Sequence, residues 1–145
     1  MSIRISLGKD LITALENSIS SSMESIAKTY TDKLLSIVTP ILKASLINAS
    51  VTANTDILSS SISPEHSPAT FRIYVSFSAS GVLSLVRTKN GTTVVEQLNA
   101  GNSLNANCAY AFDILVEGDE QINLRYSVDA TLLRLIIIEI PGVMG

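Results

Sequence analysis

Cysteine and histidine each occur once in the 145 residues, and tryptophan not at all. One cysteine excludes an internal disulfide, and one histidine excludes a multi-histidine metal centre. Aromatic residues make up only 5% of the chain, so any core must be aliphatic. Charged residues make up 16%, against about 25% in an average globular protein. With 46% hydrophobic residues, that composition excludes intrinsic disorder. Net charge is −3 and the basic side chains Arg72, Arg87, Lys89, Arg125 and Arg134 are dispersed, which argues against nucleic acid as a partner. The longest apolar runs, Leu34–Leu46 and Leu132–Ile140, are interrupted and fall short of the ~20 residues of a transmembrane span. The first residues lack a basic region followed by an apolar stretch, so no signal peptide is expected. Glycines 81, 91, 101 and 118 stand singly, which leaves no phosphate-binding loop and no implied cofactor.

What remains divides into two halves of different period. Over the first, Leu15, Ile19, Met23, Ile26, Tyr30, Leu34, Ile37 and Ile41 recur in steps of 4, 4, 3, 4, 4, 3 and 4. This eleven-residue rhythm, about 3.67 residues per turn, keeps one narrow apolar seam along a helix. Serines 18, 21, 22 and 25 lie on the opposite face. A helix is expected over residues 7–38, with Pro40 ending or kinking it and a short continuation reaching Ile47. A seam this narrow suits a coiled coil, so Leu15, Ile19, Met23, Ile26, Tyr30, Leu34 and Ile37 are the candidate oligomer interface.

From Phe71 onward the period is two. Phe71, Ile73, Val75 and Phe77 alternate with polar residues. Further strands are expected over 82–87, 93–98, 108–114, 122–126 and 132–140. Asn90-Gly91 between two of them predicts a two-residue hairpin turn. The last strand, Leu132–Ile140, is apolar on both faces apart from Arg134 and Glu139, so both faces should be covered. Residues 133, 135 and 137, or 132, 136, 138 and 140, should face the core. The expected fold is mainly β: an antiparallel, jelly-roll-like β-sandwich preceded by a long amphipathic, coiled-coil-like helix. Its parts are residues 1–47, a helical oligomerisation and attachment segment; 48–70, a linker with room for an edge strand; and 71–145, the sandwich.

Reactive groups do not converge. His66 lies in the Pro-flanked loop Ser63–Pro68 and reads as a solvated histidine. Cys108 alternates with Tyr110 and Phe112 and reads as a small buried hydrophobe. Glu117, Asp119 and Glu120 surround Gly118, and such oxygen ligands can hold Ca²⁺, although acidic turns are usually just solvated. Asn48 and Asn90 begin N-x-S/T sequons, about as many as chance supplies. No catalytic residue emerges, and no enzyme is expected.

The segments Val82–Thr88, Asn90–Val94, Leu98–Leu104, Tyr110–Asp113 and Asp119–Tyr126 resemble small β-sandwich modules of virion proteins from viruses that infect archaea and bacteria. The resemblance covers about residues 70–140, and its motifs are structural. It implies a virion location after assembly in the host cytoplasm, as a capsid decoration, adaptor or tail component. The partners it implies are other virion proteins and the chain itself, as a homo-oligomer and in the first instance a trimer. The other readings are a carbohydrate- or cell-surface-binding module using loops such as 99–107, and a subunit of a cellular surface filament.

Overall fold

The structure is a computed structural model that describes residues 13–29 and 39–141. The chain separates into two compact units, Met1–Val38 and Thr39–Gly145. In the first, residues 13–29 form helix α1. The Thr29 hydroxyl donates back to the Ser25 carbonyl at 3.0 Å. Tyr30, Leu34 and Ile37, and the expected helix before residue 13 and after residue 29, lie outside the described residues.

The second unit is mainly β. Its strands are β1 (Ile41–Val51), β2 (Ala69–Phe77), β3 (Leu83–Lys89), β4 (Thr92–Gln97), β5 (Ala109–Val116), β6 (Gln121–Tyr126) and β7 (Ala130–Pro141). They form two antiparallel sheets, in the orders β1-β7-β2-β5 and β4-β3-β6. Beyond β6, residues 56–62 add two isolated bridges, Asp56 to Arg125 and Ile62 to Ile122. Main-chain bonds from Ile57 to Leu124 and between Ile62 and Ile122 tie this segment to the sheet.

The arrangement is sandwich-like. Alternation in each strand turns one row of aliphatic side chains inward. Phe71, Ile73, Val75 and Phe77 of β2, with Leu135 and Ile137 of β7, share one core with Leu83, Leu85, Ile122, Leu124 and Tyr126 of the other sheet. The ring of Phe77 stacks on Tyr126 with centroids 3.7 Å apart. The Tyr126 hydroxyl donates to the Ala79 carbonyl at 2.8 Å, and burial pushes its pKa up. As the Asn-Gly pair predicts, Asn90 and Gly91 join β3 to β4 with φ of 52° and 76°.

Three expectations are corrected here. The helix does not continue to Ile47, because Ile41–Val51 is a strand. β1 finds a partner in β7, where Ile41 pairs with Glu139 and Val51 with Ala130. Pairing with a strand far along the chain outweighs local helical period. Residues 48–70, expected as a linker with room for an edge strand, do pair at the edge of the second sheet through Asp56 and Ile62, and they also enter the core. Val51 and Leu58 are core residues, and Ala69 begins β2 fully buried.

The third correction concerns the faces of β7. The inward row is Leu132, Leu135, Ile137 and Glu139, with Leu133 half-buried. Neither expected set is the observed one, because the register slips where Ser76 pairs with Arg134 but Phe77 pairs with Leu132. One extra residue on β7 resets the alternation, as a β-bulge does.

Candidate functional site

Two surfaces and one buried cluster stand out. The first surface is the seam of α1. Leu15, Ile19, Met23 and Ile26 are each more than half exposed. These four large apolar side chains follow one another along α1 at spacings of 4, 4 and 3 residues.

The second is the outer face of the four-stranded sheet. Opposed residues on paired strands share a face. Leu42 lies opposite Ile138, and Ser45 opposite Ile136. Ile136 and Ile138 in turn lie opposite Tyr74 and Arg72 of β2. Leu42 and Leu115 are 63% exposed, Ile47 68% and Tyr74 41%, so an apolar band crosses the sheet. It is interrupted by the pair Arg72–Asp113, at 2.8 Å and 2.9 Å, and by Arg134, which lies opposite Ile47 and donates to the Ser45 hydroxyl and the Leu46 carbonyl at 3.1 Å each. The bond between Arg72 and Asp113 holds the Asp113 carboxyl below its ordinary range and raises the Arg72 pKa.

The buried cluster is built on Glu139, whose side chain is 0% exposed. One carboxyl oxygen accepts the Glu65 N–H at 2.7 Å. The other accepts the His66 N–H at 3.0 Å and lies 3.0 Å from His66 Nδ1. A backbone N–H can only donate, so both oxygens act as acceptors, and the consistent role for Nδ1 is donor. Lys43 Nζ stands 3.7 Å from Glu139 and 3.8 Å from Glu65. His66 is therefore not a solvated loop histidine. It and its neighbour anchor the loop between residue 62 and β2 to the inner row of β7. The residues lie more than 70 positions apart in sequence, and only the anomaly of a glutamate in an apolar strand pointed to the site.

The acidic turn is not gathered as a ligand set. Lys89 pairs with Glu117 and, at 3.5 Å, with Asp119. Glu120 pairs instead with Arg87 at 2.8 Å. Arg87 also reaches Glu96 and the Leu115 carbonyl. The hydrogen bond from Lys89 to Glu117 raises the lysine pKa. Among the described residues, no group of three His, Cys, Asp or Glu side chains is placed to hold a metal ion. These charges instead join the tip of the β3–β4 hairpin to the β5–β6 turn.

Cys108 is exposed rather than buried. It precedes β5, just after Asn107 turns the chain with φ of 59°, so the strand alternation that would point it inward has not begun. Asn48 and Asn90 are both exposed.

One buried polar side chain was missed in the sequence. Asn123 is 2% exposed. Its amide accepts the Leu58 N–H at 2.9 Å and donates to the Leu58 carbonyl at 3.0 Å. It thus replaces a ladder pair where residues 58–61 bow away from β6.

No protein-family model and no curated protein matches the chain. Among the described residues, no helix is long and apolar enough to cross a membrane.

Proposed function

We propose that the chain is a non-enzymatic structural subunit of a virus particle, a capsid decoration, adaptor or tail component, that assembles as a homo-oligomer. The observation that carries this reading is the nesting of the strands. With residues 56–62 counted as a strand, the sheets become β1-β7-β2-β5 and (56–62)-β6-β3-β4. The pairs then nest as β3 with β4, β2 with β5, 56–62 with β6, and β1 with β7. A chain folded in half at Asn90-Gly91 and rolled up gives that pattern. Such nesting supports reading the fold as a jelly roll, an architecture of viral capsid domains.

Lectin domains share the jelly roll, so the choice between assembly and glycan binding rests on surfaces. The exposed seam of α1 and the apolar outer sheet face favour assembly, because both hold aliphatic side chains in water until a partner covers them. The loop that would serve a binding module holds Asn99, Ala100 and Asn107 at positive φ, a shaped but apolar-poor surface.

Sedimentation velocity and negative-stain microscopy of the full chain test the proposal. A homo-oligomer that Ile19→Asp/Met23→Asp reduces in mass, with strand circular dichroism unchanged, is expected. A monomer at micromolar concentration overturns the reading. Retention of that monomer on a glycan array would favour the binding module.

A further inference from the structure

Among the described residues, every sheet edge but one carries an obstacle. The free edge of β1 is broken by a register shift at Lys43 and by Asn48 at φ 50°. The free edge of β6 is covered by residues 56–62. On β5, the Arg87 guanidinium occupies the Leu115 carbonyl at 2.7 Å.

β4 has none of these. All six residues, Thr92-Thr93-Val94-Val95-Glu96-Gln97, are exposed. Its pairing with β3 runs without a shift from Lys89–Thr92 to Ser84–Gln97. It holds four β-branched residues, no proline and no lysine. Its single charge, Glu96, is already paired with Arg87 at 3.3 Å. Natural sheets blunt such an edge with charge, proline or a bulge unless it is used.

We infer that β4 is a self-pairing seam, in which Val95 lies on a two-fold axis and pairs antiparallel with Val95 of a second copy. The geometry selects both the register and the occupant. Asn90-Gly91 is a two-residue loop, so Lys89 and Thr92 form a hydrogen-bonded pair. The ladder then alternates. Thr92, Val94 and Glu96 bond inward to β3, and Thr93, Val95 and Gln97 point their N–H and C=O groups outward. Outward residues must pair with outward residues. A two-fold at Val95 matches Val95 to Val95 and Thr93 to Gln97 in both directions, about six main-chain bonds. It sets Glu96 opposite Val94 of the other copy, so no like charges meet. A two-fold at Val94 gives fewer bonds, and one at Glu96 opposes two carboxylates. The strand is thus complementary to itself.

This contact goes beyond the helix seam proposed above. An isologous two-fold at β4 combined with a helix bundle of other order links oligomers into an extended network.

The test uses the full chain in a Cys108→Ser background. Hydrogen-bonded antiparallel partners have Cα atoms about 5.5 Å apart, inside the range of about 4.4–6.8 Å that a disulfide spans. Val95→Cys should therefore oxidise to a covalent dimer on a non-reducing gel. Thr93→Cys should not, because its own copy lies four positions away, about 13 Å. Val95→Pro removes an N–H that β3 does not use, and should lower the sedimenting mass to that of the helix-linked oligomer with strand circular dichroism retained. Failure of Val95→Cys to cross-link, or equal cross-linking of Thr93→Cys, overturns the seam. If Val95→Pro leaves the mass unchanged while Ile19→Asp/Met23→Asp lowers it, the seam falls and helix assembly stands. If only Val95→Pro lowers the mass, the seam stands and helix assembly falls. Should Val95→Pro not fold, the cysteine pair decides alone.

Discussion

Glu139→Gln keeps the shape of the buried side chain and replaces one acceptor oxygen by an NH₂ group. Oε1 holds the Glu65 N–H at 2.7 Å, and Oε2 holds the His66 N–H and Nδ1 at 3.0 Å each. Whichever way the new amide turns, its NH₂ meets a backbone N–H. The better orientation leaves only Glu65 unsatisfied, which costs about 1–3 kcal/mol in a buried setting. Lys43 also loses its partner at 3.7 Å but keeps Glu65 at 3.8 Å. The expected loss is thus about 2 kcal/mol, a sizeable part of the about 5–15 kcal/mol of a typical domain. Glu139→Leu removes both acceptors, costing about 2–6 kcal/mol. It regains about 1.5–3 kcal/mol from apolar burial, so its net loss should be comparable to that of the glutamine variant. Urea titration read by the near-ultraviolet dichroism of tyrosine measures the loss as a shifted midpoint at constant slope. Limited proteolysis between Ser63 and Ser67 reads the released loop directly. A loss below about 0.5 kcal/mol, the range of an ordinary surface substitution, with the loop still protected, would refute the claim that Glu139 anchors it.

Gly91→Val should cost about 1–2 kcal/mol and lower the melting temperature. The φ of 76° is the whole cause, since nothing lies within 4 Å of a Cβ there. Asn123→Ala strips partners from both the N–H and the carbonyl of Leu58, and should cost about 2 kcal/mol or more in urea. Tyr126→Phe gives up the bond to Ala79 for about 1 kcal/mol. It should also change the alkaline profile. With its folded pKa raised above the ordinary 10.0, Tyr126 contributes fully below pH 10 and less as pH rises, so the wild type should lose stability there relative to the variant.

The β half was legible because its signals are local. The alternation of Phe71, Ile73, Val75 and Phe77 and the turn at Asn90-Gly91 needed no knowledge of partners. β1 was not legible, since Ile41 continues the step pattern of the helix and its strand identity depends on β7. The bulge opposite Ser76 and Phe77 falls in a run that is apolar on both faces apart from Arg134 and Glu139, so alternation alone could not assign the inward face of β7. Glu139 was visible as an anomaly. Its partners were not, because nothing in Ser63–Pro68 says which strand the loop will meet. Leu15, Ile19, Met23 and Ile26 were read as a seam, and they lie exposed along α1.

The pairing of β1 with β7 also sets an order of events during synthesis. Among the described residues, β1 has no neighbour in the finished sheet except β7, and about 80 residues separate Val51 from Ala130. At about 5–20 residues per second, the nascent chain holds Leu42, Leu46 and Ile47 without their partner strand for roughly 4–16 s. α1 is complete before that interval begins, and its hydrogen bonds are all local. If the helices assemble as proposed above, neighbouring chains on one messenger can meet through them while every sandwich is still open. Partner choice would then precede folding, and the nascent β1 strands would be gathered at high local concentration. Premature pairing between them is the hazard that the Lys43 bulge and the kink at Asn48 are placed to limit.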